Sequence, residues 1–229
     1  MNRSAGYLET VQKQYNLMRI SESVQELLAG LGICRKEEDQ WIKEGRKFMK
    51  YRGINHLAMV TGDMDATIRF WRDLIGMRLI NGFGKEGFRH YFFEIDEKNT
   101  LAFFEWDGAQ PVERKYHGVP FKGPIVFDHI AFGVDSSEEA WQLKDKLEAA
   151  GFECSDVIDH VFIHSIYSFD PNGIPIEFCY EVAGHDIHKN PVLSDDDPPF
   201  AATEGSEPQP GKWPEVTRST PEEERFIAR

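Results

Sequence analysis

Two histidines, a glutamate and a tyrosine stand at spacings that suit a metal site. The stretch Gly53-Ile-Asn-His56-Leu-Ala-Met-Val60 is echoed by Val126-Phe-Asp-His129-Ile-Ala-Phe-Gly-Val134, with His-(Leu/Ile)-Ala-(Met/Phe) in common. Side chains alternate faces along a strand, so His56 shares a face with Ile54 and Ala58, and His129 with Phe127 and Ala131. A small alanine beside each histidine leaves room in front of it. Downstream, His160, Tyr167 and Glu177 flank the turn Asp170-Pro-Asn-Gly173. Two histidines and one carboxylate hold non-haem Fe(II) with coordination positions left open. The same set with a fourth carboxylate suits Zn, Ni or Mn acting as a Lewis acid.

The elements that must carry these residues repeat as well. Asp63 predicts an N-cap, Met64 to Ile75 a helix, and Gly76 its stop. Ser136 with Glu139 reads as a capping box for a second helix to about Ala150, with Trp141, Leu147 and Ala150 on its apolar face and Gly151 ending it. Strand-like runs follow each helix: Met77–Gly82, Phe88–Ile95 and Leu101–Trp106, then Glu153–Ile158, Ile163–Phe169 and Pro175–Glu181. Their aromatic and β-branched residues fit a pleated, half-buried surface. The expected fold is α+β: two tandem βαβββ units, about 51–110 and 124–183, curling into a cup-shaped mixed sheet. First and last strands of a unit should meet inside the cup, which makes His56, His129 and Glu177 the expected metal ligands.

This pair of units resembles the vicinal-oxygen-chelate superfamily over residues 51–183. That group includes glyoxalase I, methylmalonyl-CoA epimerase, fosfomycin and bleomycin resistance proteins, and type I extradiol dioxygenases. The run from Ile158 to Glu177 is similar to the extradiol dioxygenase signature along its whole length. The resemblance implies Fe(II) at His56, His129 and Glu177. It implies a tyrosine at Tyr167 that bonds a substrate oxygen, and a histidine at His160 that closes over the bound ring. The reaction implied is ring cleavage of a small aromatic diol by O2, with oxyanions stabilised by fixed donors.

Two positions depart from that pattern. Where the dioxygenases carry an acid–base histidine, this chain has Asn99, which hydrogen-bonds but transfers no proton near neutral pH. His90 and His117 are left to supply one. Glu105 is a candidate fourth ligand, as in glyoxalase-type enzymes. Two rival readings follow: a glyoxalase- or epimerase-like isomerase or lyase using Ni, Zn, Mn or Co, and a non-enzymatic small-molecule-binding protein of the resistance type.

Composition narrows the class further. The chain of 229 residues has a formal charge of −13, with no basic stripe to meet phosphate, so nucleic acid is not an expected partner. It has no apolar run long enough for a membrane span and no signal-like leader. Cys34, Cys154 and Cys179 are odd in number and lack metal-type spacing, which points to a reducing cytoplasm. Residues 1–50 carry helical periodicity and are expected to dock as helices on the body or at a homodimer interface. From Gly184 on, seven of the twelve prolines and ten acidic against five basic residues predict a tail without regular structure. Phe200, Trp213, Val216 and Phe226 are spaced along it as anchors.

Overall fold

The structure is a computed structural model. It describes residues 51–123, 127–189, 191, 193, 195–209 and 211–225. The helices expected in 1–50 lie outside the described residues, as does Phe226. The chain divides into two units, one ending at His185 and the other beginning at Asp186.

The first unit contains both repeats. β1 (His56–Thr61) leads to α1 (Met64–Ile68), then β2 (Leu79–Lys85), β3 (Phe88–Glu94) and β4 (Thr100–Glu105). β5 (Ile130–Gly133) leads to α2 (Ser137–Ala149), then β6 (Ile158–Asp159), β7 (Ile163–Phe169) and β8 (Pro175–Glu181). The sheets have orders β1-β4-β3-β2 and β5-β8-β7-β6, with the neighbouring pairs β1/β4 and β5/β8 parallel. This is the α+β architecture of two tandem βαβββ units. Among the described residues, no helix is long and apolar enough to cross a membrane.

Local chemistry explains the boundaries. The Asp63 side chain accepts from Ala66 N and Ser136 from Glu139 N, so both helices begin at side-chain caps. The Glu139 side chain returns a bond to Asp135 N, one residue before the cap. Gly76, in the left-handed region at φ 98°, ends the first helix. Its second half, Arg69–Ile75, is a π-helix rather than the continuous α-helix expected, and the wider turn carries the fully buried Trp71. Two expectations shift. Of the run 153–158 only Ile158 lies in a strand, the two-residue Ile158–Asp159, and Trp141 is 44% exposed rather than buried on α2.

One core joins the repeats. Trp71 packs 5.4 Å from Phe132 and 6.2 Å from Phe103, and Phe70 lies 4.8 Å from Phe152. Removing an aromatic ring of that size from a packed core costs about 3–5 kcal/mol. A buried polar tie crosses between repeats, where Thr61 Oγ1 donates to Asn172 Oδ1 at 2.7 Å and Asn172 Nδ2 reaches Thr67. The core occupies one face of each sheet. By register, the other face carries His56, Ala58 and Val60 with Ala102 and Phe104 in the first sheet. In the second it carries Ala131 and Glu177 with Ser165 and Tyr167.

The unit from Asp186 has only two 3-10 turns among its described residues, Phe200–Glu204 and Glu222–Glu224. Phe200, Trp213 and Val216, expected as anchors, are exposed there.

Candidate metal and acid–base site

The second sheet assembles most of the expected residues. His129 precedes β5, Glu177 lies on β8 and Tyr167 on β7, and the register pairs Tyr167 with Glu177 on one face. His129 Nε2 meets Glu177 Oε2 at 2.8 Å. The other ring nitrogen, Nδ1, is 2.7 Å from Asp128 Oδ1. A carboxylate on Nδ1 fixes the ring and turns Nε2 toward the site, as outer partners of metal-bound histidines do. Asp128 is itself held by Lys115 Nζ and by Gly118 N at 3.2 Å.

The charges agree with this geometry. Glu177 is 2% exposed, and burial alone would raise its pKa, yet bonds from His129 and Ser165 hold it below the ordinary value. The hydrogen bond to Glu177 raises His129, against the effect of burial. In Asp128, burial is outweighed by Lys115 and His129, and the carboxyl stays low. An anionic carboxylate sharing a point with an oriented imidazole nitrogen fits a divalent cation.

Beside this pair, the Tyr167 hydroxyl lies 2.8 Å from His160 Nε2. Burial lowers the pKa of His160, which favours a neutral ring at pH 7. His160 sits in the β6–β7 turn next to Val161, whose φ of 74° is the one positive value at a non-glycine among the described residues. A β-branched side chain in that region is strained by about 1–3 kcal/mol.

His117, considered only as a substitute proton carrier, is part of this cluster. Its ring lies flat on Tyr167, centroids 3.3 Å apart and planes 2° from parallel, and 6.2 Å edge-on from His129. It is 5% exposed, and burial, with His129 next, pushes its pKa down to about 4. The linker that carries it had no periodicity to draw attention to it. Asn55 and Asp128 also escaped notice, although the repeat aligns them, each just before its histidine.

The remaining expected residues lie elsewhere. His56 is on β1 of the first sheet, with Nδ1 2.9 Å from Asn55 Oδ1 and its ring edge-on to Phe92. The contact of Nδ1 with Asn55 parallels that of His129 with Asp128. Its face is open: Val60, Phe83 and Trp106 are 49%, 51% and 44% exposed. Among the described residues no group of three or more His, Cys, Asp or Glu is arranged to hold a metal. Glu105 pairs with Thr61, so it faces the side of the sheet opposite His56. There it accepts from Met64 N at 2.9 Å and pairs with Arg89. The position that corresponds to Glu177 is Ala102, opposite Ala58 as Glu177 is opposite Ala131. Glu105 thus serves as a helix-capping carboxylate on the face opposite His56. Asn99 is engaged in its own turn, donating to both Asp96 carboxylate oxygens. Burial pushes the thiols of Cys154 and Cys179 up to about 11, which keeps both protonated. A pocket of about 240 Å³ has Tyr116, His117 and Tyr167 in its lining but neither His129 nor Glu177, so it adjoins the site without containing it.

Comparison with known proteins places this fold among relatives. The chain is 29% identical over 133 residues to lactoylglutathione lyase of Haemophilus influenzae, a match covering 55% of this chain and 90% of that protein. A glyoxylase/bleomycin resistance protein/dioxygenase domain from Frankia sp. EAN1pec superposes with a TM-score of 0.50 at 16% identity, over 58% of this chain and all of that one. The fosfomycin resistance protein FosX of Listeria monocytogenes gives 0.44 at 22% identity, over 59% and 98%. The family model for the Glyoxalase/Bleomycin resistance protein/Dioxygenase superfamily matches residues 53–178. With that match spanning both histidine-bearing repeats and Glu177, the chain belongs to the Glyoxalase/Bleomycin resistance protein/Dioxygenase superfamily.

Proposed function

We propose that the protein is a metal-dependent enzyme that binds a small substrate through two neighbouring oxygens and shifts a proton on it, a lyase- or isomerase-type reaction. The observation that carries this is the His129–Glu177 contact, with Asp128 behind the histidine and Tyr167–His160 beside it. The similarity to lactoylglutathione lyase points to the same reaction class. A divalent cation held by His129, Glu177 and His56 would polarise the substrate's oxygens as a Lewis acid. Tyr167 offers its hydroxyl to a developing oxyanion. Neutral His160 takes up a proton at Nε2 and returns it. Ser165 holds Glu177 in place.

His56 completes the ligand set from a second copy of the chain in this reading. Its exposed apolar face needs cover, and an isologous pair would lay it over the partner's second sheet.

A second reading is ring cleavage of an aromatic diol with Fe(II) and O2. It is favoured by Ala102, which leaves two histidines and one carboxylate as protein ligands.

Metal analysis and two assays separate these readings. Protein loaded with Fe(II) anaerobically, or with Mn, Zn, Ni or Co, is tested for conversion of lactoylglutathione and for oxygen uptake with catechol. Stoichiometric metal that is lost in Glu177→Gln and His129→Ala, with proton-shift turnover and no oxygen uptake, supports the first reading. Oxygen uptake supports the second, and wild-type protein that holds no metal sinks both. Mixing His56→Ala with Glu177→Gln should restore about a quarter of the activity if two copies share each site. No recovery on mixing excludes the shared site.

A further inference from the structure

The segment joining the two repeats crosses the face of the second sheet that bears Glu177. Val112 N donates to Asn172 O at 2.8 Å. Arg114 stands over the Phe169 ring at 4.9 Å, and Tyr116 meets the same ring edge-on at 5.3 Å. The Tyr116 hydroxyl bonds Glu153 at 3.0 Å, Lys115 pairs with Asp128, and Gly118 N reaches Asp128. His117 is thus fixed on both sides in sequence, and its ring has one face on Tyr167.

A phenol on a strand rotates about two side-chain torsions, and χ2 is broad for an aromatic ring. A second flat ring 3.3 Å away leaves the tyrosine one plane to lie in. In that plane its hydroxyl points at His160 Nε2. We infer that His117 is a positioning residue, whose stacked ring sets the direction of the Tyr167 hydroxyl toward His160.

The inference rests on Tyr167 and His160 being a working pair, as the proposed function has them, and the experiment reads that pair directly. Long-range proton–nitrogen spectra of the imidazole side chains are recorded for wild type, Tyr167→Phe, His117→Ala and His117→Phe. Tyr167→Phe removes the hydroxyl and gives the His160 Nε2 shift without it. His117→Ala should move the His160 signal toward that position, while His117→Phe, which keeps a flat ring, should leave it near wild type. Should the alanine variant fail to fold, His117→Leu fills the volume without a ring and is expected to shift His160 likewise. A His160 signal unchanged in the alanine or leucine variant overturns the inference. Metal content of the same proteins is a separate readout. Wild type without metal defeats the functional reading alone, and an unmoved His160 signal defeats the positioning role alone.

Discussion

The second-sheet residues form two linked systems with opposite responses to acid. Glu177 keeps His129 protonated at higher pH than a free imidazole, whereas burial holds His117 neutral down to about pH 4. A histidine whose folded pKa lies below its unfolded value of about 6.5 binds protons more readily when unfolded. Its effect on stability is therefore nil above pH 6.5 and increasingly unfavourable as the pH falls toward 4. The ceiling is about 3 kcal/mol. His129 and His160 add to this depression, and Glu177 and Asp128 oppose it. His117→Phe removes the titration while keeping a ring, so its urea midpoint should fall less steeply than that of wild type between pH 6.5 and 4. Parallel midpoint curves would contradict the assignment. Chain proximity made much of this site legible. Tyr167 and Glu177 occupy neighbouring strands joined by the tight Asp170–Gly173 turn and stand opposite each other on one face; the sequence pointed to Tyr167 through the resemblance, and the register supplies the pairing. Glu105 stands 49 residues after His56, close to the 48 from His129 to Glu177, yet the register pairs it with Thr61, on the face opposite His56. The intervening connections differ in length, and a one-residue offset turns a side chain to the other face.

At the level of elements, the turn in the second repeat does two jobs. Gly173 has φ 78°, and a Cβ there would lie 2.6 Å from Val112 O. The residue therefore serves both the backbone twist and the close passage of the linker. Gly151 also has positive φ, at 84°, but a Cβ there would meet nothing within 4 Å. The two glycines separate conformational strain from contact. Gly151→Ala should cost about 1 kcal/mol, the price of the left-handed region alone. Gly173→Ala should cost about 2–3 kcal/mol, since the linker must also move. Chemical denaturation of the two variants checks the difference, and equal losses would mean the linker is not held there. The helices and most strands were predictable because their caps and periodicity are local. The π-helical turn was not, because it is set by where Trp71 must enter a core built from both repeats.

For the whole molecule, the repeats are alike in topology but not in chemistry. One presents a histidine on an exposed aromatic face, and the other presents a histidine, a carboxylate and a phenol beneath the linker. Sequence repetition disclosed the two halves, but it carried no information on which faces meet. The linker itself is uneven. At Gly108, with φ 80°, a Cβ would meet nothing within 4 Å, whereas Val112 to Gly118 is bound at several points. Two extra Gly-Ser pairs after Gly108 should change stability by less than about 1 kcal/mol. The same insertion after Lys115 should abolish the His160 shift that depends on His117 and weaken metal retention. Equal tolerance at both places, measured by melting and metal content, would refute a structural role for the segment. The order of the two halves along the chain then matters as well as their content. A circular permutant that exchanges them could keep every strand pairing. It would keep the site's geometry only if the new ends fell upstream of Val112, so that the segment still entered the second half as one uninterrupted piece of backbone.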